Sequence, residues 1–235
     1  MADLQKLNND DEIKVTEEQT IKRFTFSSLS KQVFQFFNLE KGFLHTLKLL
    51  ILNPGKNIRA YLSIYRNQLV NPFKFYFVSA SLYVFVFLKF IQPHVNVDDI
   101  PADQEAEFAK IFFEYLNFWI VLFVFFISLF SYLFFKKKSA YNLVENLIMN
   151  FYIMGVILLF YVLLSPLVIG FQPYGDLISN TFMLVYFIYA YFSFFKEKLL
   201  RMFFKTFFSI LLGVTSMLLI IVIIGVVYGI FSALT

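Results

Sequence analysis

Five apolar runs, each long enough to cross a bilayer, organise this sequence: residues 72–92, 111–135, 143–164, 177–195 and 206–231. A helix needs about 20 apolar residues to span a hydrocarbon core. In lipid every backbone N–H and C=O must be paired within the segment or within a closed barrel. Runs of this length predict an all-α fold: a polytopic membrane protein of five transmembrane helices preceded by interfacial amphipathic helices. With 59% apolar residues and 35 Phe, the chain has more apolar surface than one water-soluble core of this size can hide. The Phe excess reads as lipid-facing filler rather than as a cofactor box.

The organisation expected is tripartite. Residues 1–26 form an acidic, flexible cytosolic tail carrying Asp10, Asp11, Glu12, Glu17 and Glu18. They lack the basic start and apolar run of a secretory signal. Residues 27–70 show helical amphipathicity in three short segments, the second ended by Asn53-Pro54-Gly55. Basic amphipathic helices ahead of a span lie in the headgroup plane. Lys48, Lys56, Arg59 and Arg66 are therefore the expected lipid-headgroup contacts, the alternative being helices folded against a partner or against the bundle's cytosolic end. Residues 71–235 hold the five spans. Asn71 is placed to cap the first, with Pro72 in the turn where a missing N–H costs nothing.

Eighteen of the 20 Lys and Arg fall before the first span, at its mouth, or in the connections after spans two and four. Lys89 and Lys110 fall on the other side, beside the acidic loop 98–107. The positive-inside rule then puts the N-terminus inside, in the cytoplasm, and the C-terminus outside.

The chain offers little chemistry. It has no Cys and only two widely separated His, so no thiol catalysis and no His-based metal site is expected. No phosphate loop, nucleophile elbow, metalloprotease motif or carboxylate pair occurs, no cofactor is expected, and the basic residues fit topology rather than nucleic acid. No Asp, Glu, Lys, Arg or His falls near the middle of a span, against the expectation for a proton-coupled pump.

Two polar or small-residue patterns remain. Asn142, Asn146 and Asn150 recur at i, i+4, i+8 at the start of span three with Glu145 beside them, either an interhelical hydrogen-bond network or a ligand or ion site in the membrane. Glu145 with Tyr141 or Tyr152 is the one pairing that could serve acid–base work on a lipid. In span five, Ser209, Gly213, Gly225, Gly229 and Ala233 share an i+4 row, a candidate helix-packing face for the chain's own bundle, a second copy or another membrane subunit.

Phe43-Leu44-His45-Thr46-Leu47, then Asn53-Pro54-Gly55-Lys56-Asn57-Ile58-Arg59-Ala60-Tyr61, then Arg66 and Asn71-Pro72-Phe73 resemble a bacterial membrane family, domain of unknown function 3667, common in Bacteroidota. Looser likenesses continue at Glu145-Asn146-Leu147-Ile148 and over 186–205. The resemblance implies a membrane topology and a bacterial origin, and no activity. Many members begin with a Cys-rich zinc ribbon, which is missing here. Asn146, Tyr152 and Met154 stand where the family has His, so no metal role carries over.

These readings converge on a non-catalytic inner-membrane protein, a scaffold or accessory subunit whose partners are membrane lipids and a membrane protein or second copy. The alternative is a small-solute transporter or lipid-handling protein using the polar stripe of span three.

Overall fold

The computed structural model describes residues 39–63, 68–91, 115–137, 139, 141–171 and 174–234, with side chains placed from 42 to 229 within those ranges. The acidic tail, the first amphipathic segment, Arg66 and the loop 98–107 lie outside the described residues. The elements are α1 (Leu39–Leu52), α2 (Pro54–Ser63), α3 (Pro72–Val86, continued by a π-helical turn Phe87–Ile91), α4 (Leu116–Phe135), α5 (Leu143–Gly170), α6 (Tyr174–Phe195) and α7 (Leu199–Leu234). No strand occurs among the described residues. Among the described residues, five helices are long and apolar enough to cross a membrane.

Helix boundaries follow local chemistry. Asn71 Oδ1 accepts from the N–H groups of Phe73 and Lys74, and Pro72 occupies the first helical position of α3. Both features match the sequence reading. The third span is longer than expected, running through Pro166 to Gly170. Proline cannot bond the carbonyl four residues back. That carbonyl, Val162 O, accepts instead from Ser165 Oγ at 2.8 Å, which lets the helix continue. The fourth span starts early, at Tyr174, with Asp176 in its first turn where the helix dipole favours an acid. The fifth starts at Leu199 because Arg201 and Lys205, polar by hydropathy, are ordinary helix residues.

Helix α5 is the axis of the bundle and packs against α1, α2, α3, α4 and α6. Every residue from Met149 to Leu158 is buried, as expected of a helix apolar all round. Gly155 lets α3 approach: a Cβ there would stand 2.8 Å from the buried Phe75 ring. Helix α7 packs most extensively on α4. Only 6% of its most apolar stretch is buried, so its remaining surface is built for lipid or for another helix.

Helices α1 and α2 are built into the bundle rather than resting only on a headgroup plane. Leu50, Ile58 and Thr46 are fully buried, and α2 packs on α6. Part of their apolar face therefore serves protein contacts, while Leu44, Ile51 and Leu52 of α1 are exposed.

Candidate functional site

The polar stripe of span three resolves into two structures. Asn142 is the N-cap of α5: its Oδ1 accepts from Glu145 N at 2.9 Å while Glu145 Oε2 accepts from Asn142 N at 2.7 Å. This is a reciprocal capping box, which satisfies two orphan backbone donors. Asn-x-x-Glu ahead of an apolar run is its sequence signature, and that signal outranks the i+4 spacing that groups Asn142 with the other two.

Asn146 and Asn150 are buried one and two turns further in, where they cross-link helices. Asn150 Nδ2 donates to Ser128 Oγ on α4 at 3.1 Å and to Asn146 O at 3.0 Å, and its Oδ1 accepts from Tyr191 on α6 at 2.8 Å. Ser131 Oγ donates to Asn146 Oδ1 at 3.1 Å, and Asn146 Nδ2 donates to Asn142 O at 2.8 Å. Both amide hydrogens and the carbonyl oxygen of Asn150 thus have protein partners. Ser128, Ser131 and Tyr191 were not singled out from the sequence. The Ser pair at i, i+3 on one helix face was the available signal, whereas Tyr191 lies 41 residues from Asn150 and carried none.

A second polar cluster joins three helix ends. The last carbonyls of a helix have no intrahelical partner. At the end of α1, Leu50 O accepts from Tyr186 at 3.1 Å, Leu52 O from Tyr189 at 2.6 Å, and Leu49 O from Asn57 Nδ2 at 2.8 Å. At the start of α2, the Gly55 N–H donates to Ser193 Oγ at 3.1 Å. At the end of α6, Ser193 O and Phe194 O accept from Arg59 Nη1 at 2.5 and 2.7 Å. A guanidinium at a helix C-terminus also meets the negative end of the dipole. Arg59 therefore caps the end of α6, both bonds being made by Nη1 of a half-buried side chain. Lys48 and Lys56 are exposed and remain available to lipid. Nearby, Val70 is pinned from both sides: its N–H donates to Thr46 Oγ1 and its carbonyl accepts from Tyr152.

The residues proposed for acid–base work are occupied. Glu145 closes the capping box, and the Tyr152 hydroxyl is donated to Val70 O. Burial pushes the Tyr141 phenol above its ordinary pKa; Arg59 opposes this and Glu145 adds to it. A phenol so placed stays protonated at neutral pH. Among the described residues no group of three His, Asp or Glu could hold a metal ion.

The small-residue row of span five does not act as one face. Each i+4 step advances about 40° around a helix, so Gly225 lies about 160° from Ser209. Ser209 and Gly213 are buried toward α4, where a Cβ on Gly213 would stand 3.4 Å from Ile127. Gly225 is half-buried, and a Cβ on Gly229 would meet nothing within 4 Å. Ala233 lies where side chains are outside the described residues. The face that packs is Met202, Thr206, Ser209 and Gly213, alternating steps of four and three.

Five spanning helices around a buried, hydrogen-bonded axis define a multi-pass helical membrane protein. Residues 40–84, which include α2, nearly all of α1 and the greater part of α3, are similar to the family model described as Protein of unknown function (DUF3667). The looser likenesses at 145–148 and 186–205 lie beyond the matched residues. Comparison with curated proteins and with solved structures finds no match.

Proposed function

We propose that the chain is a non-catalytic protein of the bacterial inner membrane that serves as a scaffold or accessory subunit of a membrane complex. The observation that carries this reading is the commitment of its polar side chains: Asn142, Glu145, Asn150, Tyr152, Tyr186, Tyr189 and Arg59 all bond the protein's own backbone or one another. Little is left over for a reacting substrate or a transported solute in the stripe of span three. The uncommitted surface is apolar instead. Leu219, Val222 and Val226 of α7 are more than half exposed, and a Cβ on Gly229 would meet nothing within 4 Å, which leaves a neighbouring helix room to approach. The basic connections support a cytoplasmic N-terminus and a periplasmic C-terminus.

Native mass spectrometry of the chain extracted in polymer-bounded lipid discs tests this. A reproducible homo-oligomer or a stoichiometric partner subunit is expected, weakened by Gly229→Ile. A monomer under all mild extraction conditions overturns the reading.

A further inference from the structure

Where the end of α4 meets the start of α7 there is a cleft of about 480 Å³ whose walls are Phe134, Leu200, Phe204 and Phe208. Leu200, Phe204 and Phe208 follow one another at i+4, so the apolar wall runs about 12 Å along the helix axis. Each of the three is 45% exposed or more, which leaves the cleft open on its lipid-facing side. Lys198, Arg201 and Lys205 also line it. Their charges are not equivalent. Lys205 pairs with Glu197 at 2.7 Å and lies over the Phe135 ring at 4.7 Å from its centroid. Lys198 and Arg201 are exposed and have no ion pair among the described residues. Lys136 and Lys137, exposed at the end of α4, add to the positive field.

The cleft thus combines two uncompensated cations at the beginning of a membrane helix with an apolar wall leading into the span. We propose that it binds one anionic glycerophospholipid, its phosphate on Lys198 and Arg201 and one acyl chain along Phe134, Leu200, Phe204 and Phe208. A free phosphate would use the cations and leave the aromatic wall in contact with nothing suited to it. A zwitterionic lipid would bring an ammonium group into a field that repels it. An anionic headgroup satisfies both halves of the site, and clusters of this kind on the cytoplasmic side face an anionic leaflet. This site is separate from the polar stripe and from the open face of α7, so it stands whether or not the chain is a complex subunit.

The full chain in mild detergent, titrated with phosphatidylglycerol or with phosphatidylcholine of the same acyl chains, provides the test, with bound lipid counted by native mass spectrometry. One phosphatidylglycerol is expected to bind about thirtyfold more tightly than phosphatidylcholine, the preference that two cations at about 1 kcal/mol each supply. The double substitution Lys198→Gln/Arg201→Gln weakens phosphatidylglycerol about thirtyfold, about fivefold for each cation, and leaves phosphatidylcholine unchanged. Leu200→Trp, which fills the cleft, weakens both lipids. Lys89→Gln, an exposed cation in the π-helical turn that ends α3 and outside the cleft, changes neither. Equal affinity of the unmodified chain for the two lipids overturns the proposal, and this comparison needs no variant to fold. Unchanged phosphatidylglycerol binding in a folded double variant also overturns it, as does inorganic phosphate displacing the lipid at equal concentration.

Discussion

Replacing Gly55 by alanine tests the junction of α1, α2 and α6 directly. The added Cβ would stand 2.1 Å from Ser193 C, 2.2 Å from Ser193 O and 2.3 Å from Phe194 N, all backbone atoms of the last turn of α6. Ordinary contact requires α2 to retreat by about 1.5 Å, since carbon atoms pack at about 3.5–4 Å. That movement breaks the 3.1 Å bond from Gly55 N to Ser193 Oγ and pulls the end of α1 away from Tyr186 and Tyr189. Three hydrogen bonds at about 1 kcal/mol each set the loss near 3 kcal/mol. Alanine recovers up to about 1 kcal/mol of helix propensity, leaving a net destabilisation of about 2 kcal/mol. The long Arg59 side chain can follow the displacement, so its bonds are not counted. At about 2–4 °C per kcal/mol for a chain of this size, the apparent Tm falls by about 4–8 °C. The assay is thermal loss of the monodisperse species in one detergent at one heating rate, because unfolding of such chains is rate-governed. Gly170→Ala is the control: a Cβ there meets nothing within 4 Å, so its Tm is unchanged or higher. The chain has no Cys, so Ile58→Cys, at a fully buried position, gives a second readout. Its maleimide labelling is slow with Gly55 and fast with Gly55→Ala. A Gly55→Ala chain as stable as Gly170→Ala, with position 58 still protected, would refute the close approach of α2 to α6.

Asn150→Leu strands the Tyr191 hydroxyl and loses its bond to Ser128, for about 1 kcal/mol of destabilisation in a membrane setting. A double-mutant cycle with Tyr191→Phe should show coupling, and strict additivity would argue against the bond. Glu145→Gln keeps a capping-box acceptor and shifts stability by less than about 0.5 kcal/mol, whereas Glu145→Ala costs about 1 kcal/mol. Equal losses would mean that the charge of Glu145, and not its capping, matters. Lys196 sits at φ 53°, the left-handed region, just past the end of α6. Lys196→Gly should therefore stabilise by about 1 kcal/mol in the same thermal assay, and a loss of stability would contradict that backbone conformation.

The spans could be read in advance because length and hydropathy are local properties, and the Asn71-Pro72 cap needs only neighbouring residues. The early start of α7 could not, since hydropathy discounts Arg201 and Lys205 although both are sound helix formers. The three-helix junction left almost no sequence signal. Tyr186, Tyr189 and Ser193 look like ordinary residues of an aromatic span until the carbonyls of Leu50 and Leu52 and the N–H of Gly55 arrive beside them. The small-residue row of span five misled for a geometric reason: i+4 repeats spiral around a helix, and only alternating steps of three and four hold one face. The pairing of Asn142 with Glu145 was legible, and the stripe spacing concealed it.

The junction also orders events during biogenesis. Gly55 and Ser193 are 138 residues apart in the chain. At about 5–20 residues per second, α6 leaves the ribosome about 7–28 s after α2 does. Throughout that interval the end of α1 and the start of α2 lack the partners that later complete them, and only water or headgroups can serve in their place. A nascent chain arrested before α6 would therefore display this segment to quality-control proteases, and cleavage near Asn53 would fade once Tyr186 to Phe194 are in the bilayer.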